Sequence, residues 1–392
     1  MLASDRYRVV QREADRIIVL SDPGIDDFRN ALFWSPERPT LIDVMVRLRQ
    51  GDQVIDEFES YTALRYVNVL RERFMRNGRP YLLRLVLDQG YWPQSFMTPP
   101  GDAAIKCDVE LVKAMGFNGV RKHQKIEVPR YLYWADRLGL VVWEEMPSAY
   151  RFTRTAIKRT VREWTEAIER DYSHPCVIVW VPFNESWEVP ELTAVGKQRH
   201  AVEALYHLTK TLDSTRPVIG NDGWESSATD IIGIHDYDAN LEHIRQRYGP
   251  EIKADQLFDR RPPGGRSLTL DGFPHRGQPI MLTEFGGIAY AKSVDPGDEP
   301  YRPAPTAEGG PGTPVIWGYS TTLDRHSFQQ KYQALLDTVI HTAMFAGFCY
   351  TQFADTFQEA NGLLTADRRP KIPIEEIARA TSASRTHIPG GV

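Results

Sequence analysis

Residues 7–61 alternate apolar and polar positions over short runs, RVVQ, DRIIVL, TLIDVMVRL and QVIDEFES, with turn signals at Asp22-Pro23-Gly24 and Gln50-Gly51-Asp52. A period of two puts every second side chain on one face, so these runs predict antiparallel strands of a small β-sandwich. From Arg79 onward the pattern changes to short apolar runs alternating with amphipathic helical stretches, the rhythm of a parallel sheet or barrel. A boundary is expected within 63–77, dividing the chain into 1–64 and 65–392.

Eight strand candidates follow: YLLRLVL (81–87), FNGVRK (117–122), LVVWEEM (140–146), VIVWVPF (177–183), PVIGND (217–222), IIGIHDY (231–237), PIMLTEF (279–285) and GFCYTQF (347–353). Helices are predicted over 102–115, 129–138, 156–172 and 196–212, the first ending at a Gly116 suited to a left-handed cap. Eight strands close a barrel, so the prediction is an α/β fold, a (β/α)₈ barrel preceded by a small β domain. Two stretches rich in proline and glycine, 249–277 and 295–314, break the rhythm and are expected to be long loops that shape a substrate site.

Reactive side chains in such a barrel stand at the carboxyl ends of strands. The fourth strand ends in Phe183-Asn184-Glu185-Ser186-Trp187 and the seventh in Thr283-Glu284-Phe285-Gly286-Gly287. A carboxylate directly after an apolar run is costly to bury and is seldom there for packing alone. Two carboxylates facing one mouth are what glycosidic cleavage needs, one to protonate the leaving oxygen and one ionised. Strands four and seven can bring them to the ~5–5.5 Å of a retaining mechanism, in which the second attacks the anomeric carbon. Glu185 is therefore the candidate acid/base, Glu284 the candidate nucleophile, and Asn184 a donor to the sugar 2-hydroxyl. Asp88, Trp92, Trp143, Glu144, Trp187, Asp222, Trp224, His235, Gln352 and Asp355 sit at or just past strand ends and are candidates for sugar contacts. Glu144 and Glu145 are adjacent, so only one can face the mouth, and neither is read as catalytic.

Composition adds exclusions. A net charge of −5 gives no electrostatic case for nucleic acid or an anionic membrane. Cys107, Cys176 and Cys349 are far apart, lack metal-ligand spacing, and are read as buried thiols of a reducing, cytoplasmic setting. The amino terminus lacks a signal peptide's apolar core. Neither a metal nor an organic cofactor is called for. Nine tryptophans and seventeen tyrosines hint at the flat aromatic faces that sugar sites use.

In order, LFWSPERPTLIDVMVRLRQGDQVIDEFESYTALR, FMRNGRPYLLRLV, DVELVKAMGFNGVRKHQ, ADRLGLVVWEEMP, HPCVIVWVPFNESW, PIMLTEFGG and NGLLTADRRPK resemble family 2 glycoside hydrolases, the group of β-galactosidases, β-glucuronidases and β-mannosidases. The resemblance implies that residues 1–64 are part of an immunoglobulin-like domain and that Glu185 and Glu284 match the acid/base and the nucleophile. It also implies that His123 lines the sugar site and that Tyr237 orients the nucleophile. Three departures stand out. The amino-terminal jelly roll of the family is not in the chain, LDQGYWPQSF lacks an Arg-His-Glu pattern, and Asn361 and Thr351 replace the lysine and tryptophan of relatives. The reading is a retaining exo-β-glycosidase whose partner is a small or oligomeric β-glycoside, with a homo-oligomer as a way to cover surface left by a missing domain. A weakly active carbohydrate-binding barrel, or a different hydrolase such as an esterase, are the rival readings. No Gly-x-Ser-x-Gly elbow supports the esterase.

Overall fold

The computed structural model describes residues 3–6, 8, 31–258, 265–290, 317–357 and 359–384. The runs expected as strands at 8–11 and 15–20, and the loop at 295–314, lie outside the described residues apart from Arg8. The chain begins its ordered path with an antiparallel hairpin, β1 (Ile42–Gln50) and β2 (Gln53–Thr62), turning at Gly51-Asp52. Its alternation gathers Val44, Val46, Leu48 and Phe58 on one face, and among the described residues nothing covers that face: Phe58 is 55% exposed. An isolated hairpin is marginal on its own. Its base is tied down at Asp136, a fully buried carboxylate that accepts from the Tyr61 hydroxyl (2.8 Å), the His174 ring (2.5 Å) and the Cys176 amide (2.9 Å).

Across 63–77, where a boundary is expected, and on to Pro80, the chain forms a three-stranded antiparallel meander of β3 (Val67–Leu70), β4 (Arg73–Arg76) and β5 (Arg79–Pro80). The barrel then runs β6 (Leu83–Asp88), α1 (Asp102–Ala114), β7 (Gly119–Lys122), α2 (Pro129–Leu138), β8 (Val141–Glu145), α3 (Arg154–Asp171), β9 (Val177–Val181), α4 (Gly196–Leu212), β10 (Ile232–His235), α5 (Leu241–Tyr248) and α6 (Ala254–Phe258). It continues with β11 (Ile280–Gly286), β12 (Ile288–Tyr290), β13 (Ser320–Thr322), α7 (Arg325–His341), β14 (Phe345–Thr351) and α8 (Ile374–Thr381). Seven strands make one parallel sheet in the order β10-β11-β14-β6-β7-β8-β9.

The eighth place, between β9 and β10, is taken by residues 217–222, which are bridged to β9 at Trp180–Val218 and to the turn after it at Asn184–Asp222 without forming a ladder. Their Gly220-Asn221-Asp222 end has poor strand propensity, and the chain folds back so tightly that a Cβ on Gly220 would lie 2.1 Å from the Ala228 carbonyl. On the β10 side Asp222 lies over Gly233, where any Cβ would meet Oδ1 at 1.6 Å. Helix ends follow their local chemistry: Thr153 caps α3 through the Ala156 amide (3.0 Å), and Gly116 adopts φ +85° just past α1.

Register pairs Arg121 with Trp143 and Lys122 with Glu144, which puts the first pair inside the barrel and the second against the helices. The helix side is unusually polar. Lys122 sits over the Tyr131 ring of α2 and binds Asp88 (2.5 Å) and Glu127 (2.8 Å). Glu144 is fully buried and neither of its oxygens accepts a hydrogen bond. Burial, reinforced by neighbouring Asp171, pushes its carboxyl well above the ordinary range, so it stays protonated. The cysteines divide: Cys176 and Cys349 are buried, whereas Cys107, expected to be buried, is exposed on the solvent side of α1.

A group whose folded pKa is raised binds an extra proton in the native state, so stability falls as pH climbs above the unfolded value near ~4.3. Glu144→Gln is therefore expected to be close to neutral at pH 5 and to stabilise by about 1–3 kcal/mol at pH 8. Urea midpoints at the two pH values check this, and a variant less stable than the parent at pH 8 would refute it.

Candidate active site

The end of β9 makes a sharp turn. Glu185 and Ser186 both adopt left-handed φ, 53° and 56°, a conformation that disfavours side chains other than glycine. The turn is held from outside: Asn221 Oδ1 accepts from the Ser186 amide (3.1 Å), the Ser186 hydroxyl donates to Glu225 (2.7 Å), and the Glu185 amide donates to the Asp222 carbonyl (3.0 Å). Glu185 is thereby turned into the mouth above β9. Glu284 enters from the irregular end of β11, where register shifts against both neighbouring strands.

Arg121 occupies the centre and is fully buried. Its guanidinium donates to Glu145 (2.6 Å), Glu284 Oε1 (3.0 Å), the Thr283 carbonyl (3.1 Å) and Asn184 Oδ1 (2.7 Å), with Asp222 Oδ2 a further 3.0 Å contact. Because Asn184 offers its oxygen to Arg121, its Nδ2 points elsewhere, buried and without a partner. That is a preset donor for a ligand hydroxyl.

His235 bridges the two candidate catalytic acids. Nδ1 lies 2.5 Å from Glu185 Oε1 and 3.5 Å from Glu284 Oε2, and Nε2 lies 3.6 Å from Asp222. Burial lowers the affinity of this ring for a proton, but Glu284, Glu185 and Asp222 outweigh it and push the pKa up to about 10. Burial likewise pushes the Glu185 carboxyl up, yet His235, His123 and Arg121 together leave it below its ordinary value. The proton between them therefore rests on His235.

Glu284 Oε2 accepts from the Tyr237 hydroxyl at 2.5 Å, and the Tyr237 ring stacks on Tyr319 with centroids 3.3 Å apart. His123 stands 3.1 Å from Glu145 and 3.8 Å from Glu284. The reacting atoms of Glu185, His235 and Glu284 all lie within 4.8 Å of one another. Among the described residues this trio and Asp136-His174-Cys176 are the groups with metal-ligand spacing.

Of the residues picked from strand ends, Asn184, Glu185, His123, His235, Tyr237 and Glu284 converge on one mouth. Trp187 is 60% exposed and donates to Glu185 Oε2 (3.0 Å), while Trp224 meets the His235 ring edge-on with its indole N–H unpartnered. Trp143 lies inside the barrel beside Arg121 and is fully buried. The structure parts with the strand-end reading at five residues, one of them Glu144, which faces the helices. Asp88 turns to Lys122 and the Gly90 amide, Asp355 to Lys371 (2.7 Å), and Trp92 stacks under Arg368, so none of these is presented to a sugar. Gln352 is fully buried and its amide is consumed by Gln89, Glu359 and Asn361. Arg121, Tyr319 and Glu359 were not foreseen. The only available signal was an arginine inside a strand of the GVRK run, flanked by residues that bury completely.

Residues 100–383 match the family described as "Glycosyl hydrolases family 2, TIM barrel domain". A β-galactosidase of Yersinia pestis is 28% identical over 363 residues, covering 86% of this chain and 30% of its own length. One from Vibrio cholerae is 31% identical over 211 residues, covering 51% of this chain and 19% of its own length. The chain thus spans less than a third of these relatives. Among solved structures, a β-galacturonidase from Eisenbergiella tayi superposes with a TM-score of 0.67 at 20% identity, covering 92% of this chain and 60% of that one. A β-D-glucuronidase of Dictyoglomus thermophilum superposes with a TM-score of 0.68 at 19% identity, covering 89% and 59%.

In a side-chain NMR titration the His235 imidazole is expected to hold its proton until about pH 10. Glu185→Gln removes one of the carboxylates that stabilise the charged ring, so it should lower that value. An imidazole titrating near the ordinary ~6.5 would refute the arrangement.

Proposed function

The chain belongs to glycosyl hydrolase family 2, and from that membership we propose that it is a retaining exo-β-glycosidase with Glu185 as acid/base and Glu284 as nucleophile. The observation that carries the reading is the pair of carboxylates, within 4.8 Å of one another across one mouth. This closest-oxygen spacing supports the ~5–5.5 Å separation of retaining enzymes over the ~6.5–9.5 Å of inverting ones.

In the first step Glu284 forms a bond to the anomeric carbon as the bond to the leaving oxygen breaks. That oxygen takes a proton from Glu185. Because the resting proton sits on His235, it first crosses the 2.5 Å contact to Glu185, leaving a neutral imidazole. This crossing also fits the charge balance, since the incoming glycoside separates Glu185 from water and favours its neutral form. In the second step the Glu185 carboxylate takes a proton from water as the water oxygen attacks the anomeric carbon and releases Glu284. Tyr237 and Arg121 hold Glu284 in line from opposite oxygens, and the free Asn184 Nδ2 is positioned to donate to the 2-hydroxyl.

The test is initial rates on aryl β-glycosides (galactoside, glucoside, mannoside, glucuronide, arabinoside) with the parent chain and Glu284→Gln. Cleavage of at least one, lowered ~10³-fold or more in the variant, is expected. Silence across the panel would favour a carbohydrate-binding barrel. Glu185→Ala should lose far more activity on poor leaving groups than on nitrophenolates, which depart without a proton. Equal losses on both would refute the acid/base assignment.

A further inference from the structure

The mouth carries one more carboxylate that the proposed chemistry does not use. Glu359 follows β14, its backbone bridged to Trp317 and its amide donating to the Thr356 hydroxyl (3.3 Å). One oxygen is clamped: Oε2 accepts from Gln89 Nε2 (2.8 Å) and Gln352 Nε2 (2.6 Å). The clamp is itself fixed, because Gln352 also accepts from Gln89 (3.0 Å) and donates to Asn361 Oδ1 (2.6 Å). The other oxygen, Oε1, has no partner among the described residues.

No lysine or arginine among the described residues is paired with this group, and His123 acts on it by its charge without a hydrogen bond. Lys371 is paired with Asp355, Arg368 with Asp108, Lys122 with Asp88 and Glu127, and Arg121 with Glu145, Asp222 and Glu284. Yet Glu359 lies beside the mouth, because Gln352, which clamps it, follows Thr351, whose hydroxyl is 3.1 Å from that of Tyr237. Burial raises its carboxyl pKa and Glu284 adds to the rise, while Gln352, His123 and Gln89 hold it back. Tyr319, beside Tyr237, feels its charge in turn. A carboxylate placed this way presents one bare acceptor and a negative field only partly offset by His123 to whatever sugar lies on Glu284.

We infer that Glu359 decides which sugar the subsite accepts, with Oε1 accepting a hydrogen bond from a hydroxyl of an uncharged glycoside and its charge excluding sugars that carry a carboxylate. The inference rests on the glycosidase reading above. It separates the substrate class of this chain from that named for its uronidase neighbours by the charge in its own site. Like charges brought together in a partly desolvated site disfavour binding strongly, so the discrimination is expected to reach ~100-fold or more.

The experiment measures kcat/KM for two pairs that differ only at carbon six, nitrophenyl β-galactoside against β-galacturonide and β-glucoside against β-glucuronide, with the parent chain and Glu359→Gln. Titration calorimetry with galactose, galacturonate, glucose and glucuronate runs beside it. The parent is expected to favour the uncharged member of whichever pair it accepts by ~100-fold or more, and the variant to narrow that ratio at least ~10-fold. A parent that cleaves uronides as readily, or a variant that lowers both members equally, would overturn the inference while leaving the glycosidase reading intact. If no glycoside is cleaved the glycosidase reading fails, and calorimetry decides. Preferential binding of the uncharged sugar, narrowed in the variant, supports the role of Glu359. Equal binding, or binding of none of the four, overturns it.

Discussion

The Arg121 guanidinium is the constraint on which the mouth depends. Four carboxylates, those of Glu145, Glu185, Asp222 and Glu284, crowd one barrel end where water is scarce, and bare carboxylates so placed would repel one another into protonation. One planar group with five donors contacts three of them and fixes Asn184 as well. His235 supplies the remaining charge, bridging Glu185 and Glu284. The separation of tasks follows: Arg121 holds the Glu284 carboxylate in orientation, while His235 holds a proton beside Glu185, the proposed acid.

The frame was largely legible in the chain. Short apolar runs ending in Asn184-Glu185 and Thr283-Glu284 marked the strand ends, and α2 and α4 occupy the ranges their periodicity predicted. What escaped was set by tertiary proximity. Arg121 sits in a four-residue strand where one charged side chain reads as an outward, solvated position, and only the acids delivered by three other strands reveal that it points inward. Tyr319 and Glu359 arrive from separate segments, with no local pattern linking them to the strand ends they join. Asp88 was misread for the opposite reason: at a strand's end it resembles a site residue, but Lys122 on the neighbouring strand faces the helices and takes it along. The fifth strand keeps its place in the barrel and loses its regularity because Gly220, Asn221 and Asp222 serve the turn at Glu185 rather than a ladder.

Buried charge is handled differently on the two sides of the barrel wall. On the helix side Asp88, Lys122, Lys125 and Glu127 neutralise one another, and Glu144, which finds no cation closer than Arg170 at 3.9 Å, is kept neutral by a proton. That side is closed to ligand and its charges have been settled internally. On the mouth side the polar groups are left incomplete among the described residues: Asn184 Nδ2 and the Trp224 indole N–H are buried without partners there, and one oxygen of Glu359 finds none.

Incomplete satisfaction and backbone strain coincide at the mouth. The left-handed φ values at Glu185 and Ser186 disfavour the folded state by roughly 1–2 kcal/mol per residue, and no packing need is met by them. A relaxed strand end would carry Glu185 on along the β9 direction, away from His235. The turn persists because Asn221, Glu225 and the Asp222 backbone hold it from the next segment, so part of the barrel's stability goes to placing one carboxyl within reach of a proton. An arrangement that only stabilised the barrel would have no use for the turn, the bare donors or the crowded acids, and the three features meet where the proposed chemistry places the sugar.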